Sequence, residues 1–327
     1  MEKMIVANKQ VNGQKKWLLG VIKCLISGGL LFWAIRSTEL TEVFQAVSSA
    51  QLYFLVGALI AYGASYYIRS YRWRVLLKAH KVRAKVTSLW QSYMVSIFFG
   101  HFLPSTIGGD IIRGYDAWRL GASKSVAATT VFLDRFLGLI ALLFFAMMAL
   151  ILSQELTTRL PLLLFGLLVG IGGIFLVTFL LFRYSEKISK LISQWQLPYL
   201  NKIKESGERL INALLAFGKH PNALIQGLAW SGLVQITVIT HFYLVAQAMG
   251  FTVPFLAYFI IIPLATLITM LPLSINGIGI RENAFVFLFG IYGYGIDRAE
   301  AVAFAWLAYG ITIIQGLIGG IIYALRK

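Results

Sequence analysis

Apolar runs recur along this chain near residues 17–35, 52–68, 88–103, 126–152, 160–182, 223–249, 254–273, 284–295 and 300–325. That repetition limits the fold more than any other feature. A helix needs about 20 mostly apolar residues to cross the hydrocarbon core of a bilayer, and several of these runs reach that length. Charged residues make up 13% of the chain, against about 25% in an ordinary soluble domain. The composition therefore excludes a soluble enzyme fold and predicts an all-α polytopic membrane protein.

The charges between the runs fix the threading. Residues 1–16 carry four lysines, residues 69–85 carry seven basic residues and no acid, residues 183–222 carry seven basic and three acidic, and the chain ends in Arg326-Lys327. Short loops rich in Lys and Arg stay on the cytoplasmic side, so these four segments and both termini are expected to be cytoplasmic. Loops 36–51, 153–159 and 296–299 hold one Arg each and are expected to face out. The formal charge of +16 thus follows membrane topology rather than a nucleic-acid surface, and the partner it suits is an anionic lipid headgroup. The run Trp17–Ile35 has no small-residue cleavage site after it and reads as a retained helix. Cys24, inside it, is a small buried hydrophobe.

Parity then demands an irregularity. Three full crossings between 69–85 and 183–222 would put the second basic segment outside. If 88–120 enters and returns as a hairpin, both segments stay inside. The same argument makes 254–295 a hairpin entered from the other side. The prediction is six spanning helices plus two re-entrant helical hairpins in an inverted repeat, where a plain hydropathy count gives about eight helices. One membrane domain covers 1–327, with repeat A at about 52–152, a cytoplasmic connector at 183–222 and repeat B at about 223–325. The connector carries Ile188, Leu191, Ile192 and Trp195, then Ile203, Leu210, Ile211 and Leu214, at helical spacing on either side of Pro198. That pattern predicts two amphipathic helices at the interface.

The two hairpin tips carry similar sequences. Leu103-Pro104-Ser105-Thr106-Ile107-Gly108-Gly109-Asp110-Ile111-Ile112-Arg113 aligns without a gap to Leu271-Pro272-Leu273-Ser274-Ile275-Asn276-Gly277-Ile278-Gly279-Ile280-Arg281, with six of eleven positions identical. Paired, Gly/Pro-interrupted apolar segments in corresponding halves point to a transporter-type binding site near the midplane. Gly108-Gly109 marks a helix start, where free N–H groups and the positive dipole end suit a phosphate. Arg113 adds a bidentate contact, and Arg281 is its counterpart in the second tip. Gly277 and Gly279 let backbone approach a ligand closely.

Asp110, Arg113, Asp116 and Arg119 recur every three residues and can neutralise one another on a helix. Arg281 and Glu282 are adjacent, do not share a helical face and are expected to have separate partners. Asp134-Arg135 sits about nine residues into a spanning helix, where charge is costly; an ion-pair strut against the first hairpin is the expected use. Arg72 and Arg74 belong to the basic stretch beside the core and are placed to guide headgroups, and His101 precedes the first Leu-Pro. Gly166-x-x-x-Gly170 and Gly316-x-x-x-Gly320 read as helix-packing sites. The chain has no Gly-x-Ser-x-Gly, His-Glu-x-x-His or P-loop spacing, and no cofactor, metal ligand set or catalytic residue is expected.

Four motifs in order complete a family pattern: Tyr71-Arg72-Trp73-Arg74-Val75-Leu76-Leu77, Phe102-Leu103-Pro104 through Gly109-Asp110-Ile111-Ile112-Arg113, Leu133-Asp134-Arg135-Phe136-Leu137-Gly138-Leu139 and Asn276-Gly277-Ile278-Gly279-Ile280-Arg281-Glu282. Together they resemble the lysylphosphatidylglycerol synthase transmembrane family, also called flippase-like membrane proteins, over about residues 17–325. In two-domain members this region is implicated in moving aminoacylated phosphatidylglycerol between leaflets, while a separate soluble domain makes the lipid. Lysyl transfer is therefore not implied for this chain, and a separate lipid-modifying enzyme is the implied partner. Other relatives are linked to hopanoid, glycolipid or lipid-carrier chemistry. His101 stands where the resemblance would put an Asn. The combined expectation is a bacterial inner-membrane lipid translocase for a phospholipid or related anionic lipid. Its rivals are a membrane transferase with Asp110, Asp134 or Glu282 as base, and a non-catalytic lipid-binding accessory protein.

Overall fold

The computed structural model describes residues 40–102, 108–152, 165–166, 168–170, 172–173, 220–270, 274 and 276–326. The expectations for 17–35, Cys24, the turn 153–159, the run 160–182 (apart from those few residues) and the connector 183–219 lie outside the described residues. Among the described residues every regular element is a helix. In chain order these are α1 (Leu40–Ser48), α2 (Leu52–Ala79), α3 (Val86–Phe102), α4 (Gly108–Arg119), α5 (Lys124–Leu152), α6 (Pro221–Ala248), α7 (Phe255–Thr269), α8 (Ile280–Tyr292) and α9 (Arg298–Leu325).

The helices fall into two length classes. α2, α6 and α9 have 28 residues each and α5 has 29, or about 42 Å at 1.5 Å per residue. α3, α4, α7 and α8 have 17, 12, 15 and 13 residues, between about 18 and 26 Å. Three helices, 124–148, 221–248 and 298–325, are both long and apolar enough to cross a membrane. α2 matches their length but carries Arg69, Arg72, Arg74 and Lys78 in its second half.

Local chemistry sets the ends. α6 starts with Pro221 in its first turn, where the missing N–H costs nothing. α9 opens on a capping box: Asp297 accepts from the Glu300 N–H at 2.7 Å and Glu300 accepts from the Asp297 N–H at 3.0 Å. α8 stops at Gly293, left-handed at φ +62°.

α2 and α6 form the most extensive helix pair and run antiparallel. The Gln51 N–H donates to the Ala248 carbonyl at one end, and Tyr71 stacks on Trp230 toward the other. The four short helices pack around this pair as α3–α4 and α7–α8. α9 covers α3, and α5 covers α7. The α9–α3 approach depends on glycine: a Cβ at Gly319 would sit 1.9 Å from the Met94 carbonyl oxygen, and one at Gly320 would meet the Phe98 ring at 2.8 Å. Gly316 faces His101 in the same contact. The Gly316/Gly320 spacing is thus a packing site, whereas a Cβ at Gly166 or Gly170 would meet nothing within 4 Å.

Among the described residues three buried clusters result, the least of them Leu76, Leu133 and Leu137. The largest is aromatic and centres on Tyr258, Phe285, Phe289 and Phe304 at the α7–α8 pair. The second holds Trp73, Leu89, Tyr93, Ala117 and Val131 around the α3–α4 pair. Leu52, Ile60, Phe144, Leu256 and Ile321 point outward and are more than half exposed, as side chains solvated by lipid would be.

Candidate functional site

Charge inside this apolar bundle gathers at the first tip. Asp134, on α5, is fully buried. Its Oδ1 accepts from Arg72 Nε at 2.6 Å, and its Oδ2 accepts from Arg113 Nη2 at 2.8 Å and from the Tyr93 hydroxyl. Arg72 Nη1 also donates to Ser231 Oγ on α6 at 2.8 Å, and Ser231 in turn donates to the Gly227 carbonyl. The Arg113 guanidinium lies over the Tyr93 ring at 3.9 Å and the Trp73 ring at 4.5 Å. One carboxylate therefore ties five helices together: α2, α3, α4, α5 and, through Arg72, α6. Buried charge persists in such a medium only when paired and hydrogen-bonded.

The α4 charges partner outward rather than along their own helix. Asp110 Oδ2 holds Arg135 Nε at 2.5 Å, while its Oδ1 is 3.8 Å from Arg113 Nη1. Asp116 pairs with Arg326 at 2.7 Å, so the end of α9 is pinned to α4. Gly108 and Gly109 start α4 buried, and a Cβ at Gly109 would sit 2.4 Å from the Ser96 carbonyl oxygen on α3. The absent side chain here serves the α3–α4 approach.

The second tip is organised by backbone. Asn276, Gly277 and Gly279 have φ of +52°, +74° and +81°. This left-handed path is open to glycine and tolerated by asparagine. Glu282, buried, turns back and accepts from the Gly279 N–H at 2.7 Å, which caps α8. Asn283 Nδ2 donates to the Gly279 carbonyl. Arg281 Nη2 donates to the Asn276 carbonyl at 2.5 Å, and its guanidinium lies 4.0 Å from the Tyr309 ring centroid on α9. Arg281 Nη1 is buried without a hydrogen-bond partner, and among the described residues Arg281 has no carboxylate within ion-pair distance.

The two tips touch. Asn276 Nδ2 donates to the His101 carbonyl at 3.1 Å, and the His101 ring packs on Tyr309 at 5.7 Å, the same ring that carries Arg281. His101, Asn276, Gly277, Gly279 and Arg281 are thereby brought together. Arg113 joins Arg72 and Asp134 in the other cluster, with Asp110 and Arg135 at its edge. Arg72 does not reach a surface. Arg74 does, and with Lys78 it lines a cavity of about 550 Å³ between the end of α2 and the start of α6. Tyr93 and Ser231 carry no charge and stand in no motif, so nothing along the chain marks them as site residues. Arg281 and Glu282 do have separate partners, as their adjacency requires.

A bundle of helices with exposed apolar sides and an ion-paired cluster buried in its interior defines a polytopic membrane protein. The chain belongs to the lysylphosphatidylglycerol synthase TM region family, whose model matches residues 20–320. It is similar to a UPF0104 membrane protein of Pyrococcus horikoshii, 24% identical over 332 residues, covering 94% of this chain and 96% of the relative. Two UPF0104 membrane proteins of Methanothermobacter thermautotrophicus are 25% and 23% identical over 318 and 311 residues, covering 91% and 86% of this chain and 90% and 87% of theirs.

Proposed function

We propose that this protein is a lipid translocase that holds the phosphate of an anionic phospholipid, or a related amphiphile, at the junction of its two tips. The observation that carries the reading is Arg281: a guanidinium set beside a left-handed Asn-Gly-Ile-Gly loop, with a buried, unpartnered Nη1 and no carboxylate partner among the described residues. A cation in that state gains most from an anionic ligand. Arg113, Asp110, Gly108 and Gly109 form the matching tip, with Arg113 held in reserve on Asp134.

In this reading α3–α4 and α7–α8 are the two re-entrant hairpins, too short to cross singly, and the chain is an inverted repeat of about 52–152 and 223–325. Each hairpin lies against the long helix of the other repeat, α3 on α9 and α7 on α5, so rocking one repeat moves the other's tip. The termini are cytoplasmic and the membrane is the bacterial inner membrane. The lipid comes from a separate modifying enzyme.

The carboxylates speak for transport over group transfer. Asp134 is engaged by two arginines and a tyrosine, Glu282 caps its own helix and Asp110 holds Arg135. Each has its oxygens engaged by partners, which leaves none of them free to reach a substrate proton.

The test is flip of headgroup-labelled phosphatidylglycerol in liposomes carrying the purified protein. Wild type accelerates flip and Arg281→Ala abolishes it. Arg281→Lys retains part of it, because charge remains while the fork is lost. Equal rates for wild type and Arg281→Ala would remove the basis of the proposal.

A further inference from the structure

We infer that the cleft between α4 and α5 is the lateral doorway through which an anionic diacyl phospholipid reaches the first tip, with the Asp110–Arg135 pair as its latch. The inference rests on the translocase reading and names the route its substrate takes. The cleft encloses about 590 Å³, and its walls are Ile111, Tyr115, Trp118, Val131 and Phe132. Ile111, Trp118 and Phe132 are 65%, 47% and 49% exposed, so the walls open sideways, toward lipid rather than toward the core.

The polar groups sit at the two ends. Lys124, the first residue of α5, holds its ammonium 5.8 Å from the Trp118 ring centroid, the cation–aromatic pairing of a membrane interface. Arg135 lies eleven residues further along α5, about 16 Å by helix rise and about half the thickness of a hydrocarbon core. A slot that is apolar along its length, with a lysine at one end and an arginine paired to an aspartate at the other, fits one molecule with an anionic head and apolar chains. Lys124 receives the headgroup at the interface, and Arg135 receives it at depth.

Asp110 makes the second step conditional. Its carboxylate holds Arg135 at 2.5 Å and stands 3.8 Å from Arg113. An arriving phosphate takes Arg135, and Asp110 swings to Arg113. No charge is left unpaired during the exchange, and the buried cluster feels the arrival of lipid.

Brominated acyl chains quench tryptophan on contact, which gives a direct readout. The full chain is placed in vesicles containing brominated phosphatidylglycerol or brominated phosphatidylcholine, and the Trp118 signal is obtained as the difference from Trp118→Phe. Half-quenching is expected at roughly fivefold lower mole fraction of the anionic lipid, the preference one basic side chain near a membrane surface confers. Lys124→Glu erases the difference. Equal quenching by both lipids in the wild type overturns the doorway. Ala128→Trp, which fills the exposed cleft without touching the ion pair, is expected to stop flip with an unchanged thermal midpoint. Should it flip as wild type while Arg281→Ala does not, the doorway falls and the translocase stands. Should the wild type fail to flip while the quenching preference holds, the cleft stands as an anionic-lipid site and the translocase reading falls.

Discussion

Replacing Asp134 by Asn keeps the volume and one acceptor oxygen but removes the charge shared by Arg72 and Arg113. Both guanidiniums are about 3% exposed and sit 2.6 and 2.8 Å from the carboxylate. Breaking one buried ion pair by removing a partner costs about 3–5 kcal/mol. Here one change strands two cations, and among the described residues the other anion beside them is Asp110, 3.8 Å from Arg113 and already holding Arg135. We therefore expect a loss at the top of that range, about 5 kcal/mol, which lowers the thermal midpoint by about 7 °C at roughly 2.1 cal/mol/K of unfolding entropy per residue. The assay is thermal unfolding of purified protein in detergent, followed by tryptophan fluorescence. The control is Asp110→Asn, whose partner Arg135 is 54% exposed; pairs of that kind are worth about 0–1 kcal/mol. If Asp134→Asn unfolds within a degree or two of wild type, or if Asp110→Asn costs as much, the carboxylate is not the hub described here.

Gly319→Ala is expected to cost about 1–3 kcal/mol, because its Cβ would land 1.9 Å from the Met94 carbonyl. Gly310→Ala, in open space on the same helix, is expected to stabilise by about 0.5–1 kcal/mol; the same unfolding assay separates them, and equal effects would mean that α9 and α3 are not in close contact. His80, just past the end of α2, is held below its ordinary pKa by burial and by the facing His220. The unfolded chain then binds more protons than the native one near that pKa, so native stability falls as pH drops through about 6.5. The midpoint should decline more between pH 7.5 and 5.5 (both roughly bracketing the free imidazole value) in wild type than in His80→Asn, and parallel declines would dissociate His80 from the effect.

The helices α3, α4, α7 and α8 fall within the apolar segments read from the sequence, because hydropathy and Gly/Pro interruptions are local properties of the chain. The left-handed loop at Asn276–Gly279 was legible for the same reason: glycine advertises backbone that other residues resist. Two things were not legible. The i,i+3 spacing of Asp110, Arg113, Asp116 and Arg119 suggested a ladder on one helix; Asp110–Arg113 keeps one rung at 3.8 Å, but the closer contacts run off the helix, Asp110 to Arg135 at 2.5 Å and Asp116 to Arg326 at 2.7 Å, because an along-helix pair is weak. Gly109 looked like a phosphate cradle and also serves the close approach of α4 to Ser96 on α3.

By itself the sequence determined that this chain lives in a membrane, which segments form helices and where they break, because hydropathy, charge asymmetry and turn chemistry act over a few residues. Only the tertiary structure decided which charges meet. Arg72 and Asp134 are 62 residues apart in the chain and Asn276 and His101 are 175 apart, and nothing short-range couples such positions. In an apolar interior every buried charge must find a partner wherever packing brings one, so the pairing is a property of the assembled bundle. It leaves Arg113 paired with Asp134, while Arg281, its counterpart, has no carboxylate within ion-pair distance among the described residues.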